Sequence, residues 1–151
     1  MSALLDNLRR ICGDANVLTH DDPQTDLSAW ERDWRKRAHG RALAVVRPAN
    51  VQEVAAVVKA CANTFTSIVP QGGNTGLVVG SVPDESGQQV VLSLQRLTGS
   101  FALDADNRSV TLGAGYRLSE VNRRLAAEGL SFPIDLGADP AIGGMIATNT
   151  G

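Results

Sequence analysis

The sequence predicts a mixed fold of the α/β or α+β class. Apolar periodicity changes along the chain from helical spacing to short β-branched runs and back. Clusters of Gly, Pro, Asn and Asp separate those runs, and no stretch repeats another or falls into low complexity. With 151 residues, 43% hydrophobic and 20% charged, the chain can bury one real core.

Residues 2–12 read as a short helix, because Leu4, Leu5, Leu8 and Ile11 share one face at helical spacing. The polar, turn-forming stretch "THDDPQTDLSAW" then breaks regularity. "ALAVVRP" reads as a buried strand stopped by Pro48, and "NVQEVAAVVKACAN" as a helix with Asn50 as N-cap and Glu53 in capping-box position. "TSIVP", "VVLSL" and "SVTLGAG" read as three further strands, the last following the turn residues "DADN". "LSEVNRRLAAEGL" reads as a helix closed by Gly129 in a left-handed C-cap.

Charge and composition exclude several functions. A net charge of −2 and a pI near 5.6 leave no electrostatic footprint for nucleic acid, and the basic run "RDWRKRAHGR" reads as a solvated face. No apolar run approaches the roughly 18 residues of a membrane span, and the N-terminus does not read as a signal-peptide core, so the expected compartment is the cytoplasm. Cys12 and Cys61 lie far apart without a CxxC pattern or a histidine at ligand spacing; they read as reduced, buried thiols, and no metal site is expected. His39 reads as a solvated histidine, and Asp135 and Asp139 as turn or cap residues rather than a catalytic pair.

The stretch "PQGGNTGLVVG", Pro70 to Gly80, leaves a strand and carries Gly72, Gly73, Gly76 and Gly80 without one ionisable side chain. Such a loop brings main-chain N–H groups close to an anion, and Asn74 and Thr75 add side-chain donors. The residues after Gly76 are Leu77 and Val78 rather than Lys and Ser or Thr, which excludes a Walker loop. The segment before Pro83 is neither long nor helical enough for a dinucleotide-binding βαβ unit. An ordinary strand connection is the competing reading. A second glycine-rich segment, "FPIDLGADPAIGGMIATNTG", repeats the chemistry with Gly137, Gly143 and Gly144 and with donors at Thr148 and Asn149. Neither segment places a catalytic acid, base or nucleophile beside its glycines, Asp135 and Asp139 reading as turn or cap residues, a composition suited to a diphosphate cofactor that brings its own reactivity.

In the segments "AVVRPANVQEVAAVVKAC", "PQGGNTGLVVGSVP", "VVLSLQRL", "VTLGAGYRLSEVNRRLAAEGLSFPIDLGA" and "IGGMIATNTG" the chain resembles the flavoproteins with a vanillyl-alcohol-oxidase-type (PCMH-type) FAD-binding domain. Within that family it is most similar to D-2-hydroxyacid dehydrogenases: D-lactate dehydrogenases, glycolate oxidase subunits and D-2-hydroxyglutarate dehydrogenases. The resemblance runs from about Trp34 onward. It implies an α+β fold of two small α/β subdomains with FAD between them: a lead-in over about 1–41, a first subdomain over about 42–100 and a second over about 101–151. By the same resemblance, Pro70 to Ser81 cradle the diphosphate, and Pro133, Leu136, Gly137, Ile142, Gly143, Gly144, Thr148 and Asn149 line the rest of the cofactor.

Some family members attach FAD through a histidine where this chain has Asn74, so attachment is expected to be non-covalent. Relatives continue past the position of Gly151 into the rest of the FAD domain and a substrate-binding cap; the chain is therefore expected to be an N-terminal fragment without catalytic residues of its own. The resemblance implies a small 2-hydroxy acid substrate whose C2 hydride goes to flavin N5, and an electron acceptor it does not name. The other reading is a non-catalytic module that holds flavin weakly or self-associates through an open sheet edge.

Overall fold

The computed structural model describes residues 2–150. Helix α1 (Ser2–Cys12), a 3-10 turn at Asp14–Asn16 and strand β1 (Val17–Leu18) lead into the short helix α2 (Ser28–Glu31). Strand β2 (Ala42–Val46), helix α3 (Val51–Asn63), strand β3 (Ile68–Gln71) and strand β4 (Gln89–Ser93) follow. The chain continues through the hairpin β5 (Phe101–Asp104) and β6 (Ser109–Leu112), then helices α4 (Leu118–Ala126) and α5 (Ile142–Ala147). The α+β class expected from the sequence is what the structure has.

Four strands form one sheet in the order β1-β2-β4-β3, with β1 antiparallel to β2 and the other neighbours parallel. Strand β3 is an edge, which tolerates Pro70, a residue with no N–H to give the ladder. Leu4, Leu8 and Cys12 of α1 pack with Val57, Ala60 and Cys61 of α3 on one face. Leu27 and Trp30 cover Val45 and Val91 on the other. A register shift between Ala42 and Ala44 turns Ala42 to the second face while Ala44 and Val46 stay on the first. A separate core joins the β5–β6 hairpin to α4 and α5 through Tyr116, Val121, Leu125, Ile142 and Met145.

The local signals explain these elements. Asn50 Oδ1 accepts the Glu53 N–H at 2.8 Å, while the Glu53 carboxylate accepts from the Ala49 N–H at 2.8 Å and from Asn50 Nδ2 at 2.9 Å. Helix α4 ends in a left-handed Gly129 (φ 68°), with the Leu130 N–H on the Leu125 carbonyl and the Gly129 N–H on the Ala126 carbonyl. The strand expected over 66–70 instead starts at Ile68 and includes Gln71, and the one expected over 109–115 stops at Leu112. Strands β1 and β5 and helix α2 were not anticipated. Nor was α5, which makes the expected glycine loop around Gly143 and Gly144 a helical turn.

Both cysteines are free and buried, and desolvation pushes the Cys12 thiol up to about 11. Among the described residues no helix is long and apolar enough to cross a membrane, and no cluster of His, Cys, Asp and Glu could hold a metal ion.

Candidate functional site

The glycine-rich loop begins where β3 ends, at the carboxyl end of the parallel strands. Gln71, 1% exposed, ties the loop's two ends together: its Nε2 donates to the Ser81 carbonyl at 2.7 Å and to the Trp30 carbonyl at 2.9 Å. Ser81 Oγ donates to Asn74 Oδ1 at 2.9 Å. Asn74 and Val79 sit at φ 54° and φ 66°, the latter an uncommon conformation for a β-branched residue. Gln71 Oε1, Ser93 Oγ and Trp30 Nε1 are buried at the loop's root without partners among the described residues, which makes that root polar.

Among the described residues, no main-chain N–H from Gly72 to Ser81 donates a hydrogen bond. Gly72 to Thr75 are only half exposed. At these half-exposed and exposed positions the amides are free to bond water or an acceptor brought from outside the chain. A Cβ on Gly76 or Gly80 would meet nothing within 4 Å, so an approaching group finds open space there. These residues fit an anionic group such as a diphosphate.

The second glycine-rich segment lies directly against the first. A Cβ on Gly73 would stand 2.9 Å from the Ala141 nitrogen and 2.6 Å from Arg117 Nη1, and one on Gly72 would stand 3.2 Å from the Ala141 Cβ. Arg117 Nη1 donates to the Gly73 carbonyl at 3.3 Å and to the Asp139 carbonyl at 2.8 Å, joining the two segments. The Asp139 carboxylate accepts from Ser119 N–H and Oγ at 2.9 and 2.8 Å, capping α4, in keeping with the cap reading. Helix α5 lies close on residue 114, where the Gly143 N–H donates to the Ala114 carbonyl at 2.9 Å and a Cβ would come 2.7 Å from that of Ala114.

Several residues expected at a cofactor are occupied elsewhere. Asn74 is not a free donor: its Nδ2 is held by the carbonyls of Ala29 at 3.0 Å and Arg32 at 2.8 Å. Thr148 Oγ1 turns back to the Gly144 carbonyl at 2.8 Å. Ile142 is 8% exposed and belongs to the core. Gly143 and Asn149 line an apolar cleft of about 650 Å³ beside β6, whereas Leu136 and Gly137 line another of about 440 Å³ with Trp34 and Asp139. Pro133 is exposed and lines neither cleft. Pro70, Thr75 and Gly144 stay in or against the loop, the Gly144 nitrogen 3.8 Å from where a Gly72 Cβ would stand.

The sequence reading missed Gln71, Arg117 and the carbonyls of Ala29, Trp30 and Arg32. A lone arginine opening a helix carries no signal, and the carbonyl partners lie more than 40 residues away. His39 is exposed, and so are Arg32, Arg35, Lys36 and Arg37 of the basic run. Within that run Asp33 is buried, and the N–H groups of Ala38, Arg37 and Arg35 hold its carboxyl below the usual carboxylate range.

A parallel-stranded sheet with an amide-rich loop at its carboxyl edge, braced by a second glycine-rich segment, defines a binder of phosphate-containing cofactors. Residues 42–151 match the family described as FAD binding domain, and the chain belongs to that family. It is 39% identical over 128 residues to a D-2-hydroxyglutarate dehydrogenase of Xanthomonas citri pv. viticola, covering 83% of this chain and 27% of that protein. It is 44% identical over 108 residues to a D-lactate dehydrogenase of Archaeoglobus fulgidus, covering 71% of this chain and 24% of that protein. The chain spans about a quarter of the length of the curated relatives it matches.

Among solved structures, an alkyldihydroxyacetonephosphate synthase superposes with a TM-score of 0.79 at 17% identity, over 97% of this chain and 30% of that one. A p-cresol methylhydroxylase superposes with a TM-score of 0.65 at 21% identity, over 85% of this chain and 25% of that one. These likenesses show the fold, the PCMH-type FAD-binding arrangement that the sequence resemblance implied.

Proposed function

We propose that the intact protein is a flavin-dependent dehydrogenase that oxidises a small D-2-hydroxy acid to the 2-oxo acid, and that this chain supplies the FAD diphosphate site. The run of unpaired N–H groups from Gly72 to Ser81 carries the proposal. The names of the bacterial and archaeal relatives support the substrate class. When bound, FAD would supply two-electron acceptance: the hydride of the substrate C2 would go to flavin N5 while a base outside this chain takes the hydroxyl proton.

In this reading the amides of Gly72, Gly73, Thr75, Gly76 and Gly80 hold the diphosphate, with Pro70 and Ser81 closing the loop's ends and Arg117 keeping Gly73 against Asp139. Gly144 adds an N–H from the facing segment, and Leu136, Gly137, Gly143 and Asn149 line clefts open to the rest of the cofactor. We assign a lead-in over 1–41 and subdomains over 42–100 and 101–151, a division supported by the separate cores of the two sheets. Attachment is non-covalent: Asn74 cannot form the histidyl link, and His20 is engaged with Glu31 at 2.8 Å. The compartment proposed is the cytoplasm, in keeping with two free buried cysteines.

The test is purification of the full-length protein followed by dye reduction with D-lactate, D-2-hydroxyglutarate and glycolate. Co-purifying FAD that acid precipitation releases, with turnover of at least one acid, is expected. Absence of flavin together with absence of turnover overturns the proposal. A second reading, a self-associating module without catalysis, is favoured by the exposure of Phe65 (97%), Val78 (89%) and Ile146 (77%). Sedimentation of the isolated chain distinguishes it: a monomer excludes that reading.

A further inference from the structure

We propose that the turn Leu27–Arg32, which precedes the residues matched to the FAD-binding family, is a positioning element of the diphosphate loop, acting through Asn74 and Gln71; the inference rests on the FAD reading above. Helix α2 is four residues long, so carbonyls at its end have no helical partners. Amide side chains from the loop take them: Asn74 Nδ2 spans the Ala29 and Arg32 carbonyls, and Gln71 Nε2 takes that of Trp30.

The turn is itself fixed from three sides. Asp26 accepts from Ser28 N–H at 2.8 Å and Oγ at 2.9 Å at its start. Leu27, 2% exposed, anchors it in the core. The buried Glu31 carboxylate accepts from the first residue of β2, Ala42 N–H, at 2.7 Å, and pairs with His20 Nε2 at 2.8 Å. The lead-in is therefore tied to the sheet that launches the loop, through Glu31 and Ala42, and to the loop itself, through Asn74 and Gln71.

Position 74 is where this brace matters. Asn74 holds the left-handed bend (φ 54°) between Gly73 and Thr75, and so fixes the direction in which the following unpaired N–H groups point. A loop with four glycines between residues 72 and 80, freed of that bend, spreads over many conformations. Apparent affinity then falls by the fraction still competent. Asn74 thus acts on the cofactor through the backbone, without touching it.

The experiment measures FAD affinity of the full-length protein, and hydrogen exchange of its flavin-free form, for wild type, Asn74→Ala, Asn74→Gly and Ser81→Ala. Glycine accepts the positive φ, so Asn74→Gly keeps the fold while deleting the amide. Both Asn74 variants are expected to raise the FAD Kd about thirtyfold, the ratio that two ordinary neutral hydrogen bonds correspond to. Exchange at the Trp30, Glu31 and Arg32 amides should rise in both. Ser81→Ala, which removes one bond to Asn74 and leaves the two carbonyl bonds intact, should lose about fivefold or less.

Unchanged affinity in Asn74→Gly overturns the proposal. So does lost affinity with unchanged exchange at residues 30–32, the signature of an Asn74 that contacts the cofactor directly. A wild type that binds no flavin refutes the FAD reading instead.

Discussion

Replacing Gly73 and Gly76, one at a time, by alanine separates the two roles that glycine plays in the loop. At Gly73 a Cβ would stand 2.6 Å from Arg117 Nη1, 2.9 Å from the Ala141 nitrogen and 3.2 Å from the Pro140 Cα. The arginine can swing away, but the main chain at 140–141 cannot, because the Leu118 N–H on the Pro140 carbonyl and the Met145 N–H on the Ala141 carbonyl hold it at 3.0 Å each. Overpacking of this kind costs about 1–3 kcal/mol. At about 2–4 °C per kcal/mol for a chain of this size, the melting midpoint should fall by roughly 2–12 °C. At Gly76 a Cβ meets nothing, so stability should stay within about 0.5 kcal/mol. A methyl group there should still hinder a diphosphate, at about 1.5–3 kcal/mol for one lost N–H to a charged group. That is roughly 10- to 150-fold in Kd. Circular dichroism melts and FAD fluorescence titrations on both variants give the two readouts. Wild-type melting of Gly73→Ala would refute the contact between the segments, and wild-type affinity of Gly76→Ala would refute the cradle.

Arg117→Met should weaken FAD binding and lower stability by about 1–3 kcal/mol, since it leaves the Gly73 and Asp139 carbonyls without their charged donor; urea midpoints and flavin titration check it. Asp139→Ala should cost about 0.5–2 kcal/mol by uncapping α4, read from the urea midpoint. Burial favours the neutral Cys12 thiol and raises its pKa from 9.0 to about 11. The stability this contributes is full below pH 9 and lost as pH rises towards 11, so Cys12→Ala should flatten the alkaline limb of a stability–pH profile.

The elements with local signals were legible in the sequence. Asn50 and Glu53 announced the start of α3, and Gly129 announced the end of α4, because each is decided by partners within a few residues. Helix α5 was not legible: six residues containing Gly143 and Gly144 carry poor helix propensity. Its first amides are satisfied from outside, by the Tyr116 and Ala114 carbonyls. The loop's glycines were visible, but the reasons for them divide: Gly73 makes room for residues 140 and 141, whereas Gly76 and Gly80 leave open space. Asn74 misled for the same reason, since its partners at residues 29 and 32 are close only in space.

The central claim is that backbone amides of the loop after β3 hold a diphosphate. Calorimetric titration of the full-length, flavin-stripped protein with FAD, FMN and riboflavin tests it most directly, because only FAD carries a diphosphate. The account predicts one FAD per chain, bound far more tightly than riboflavin, with FMN between them. Absence of saturable FAD binding, or riboflavin bound as tightly as FAD, would contradict it.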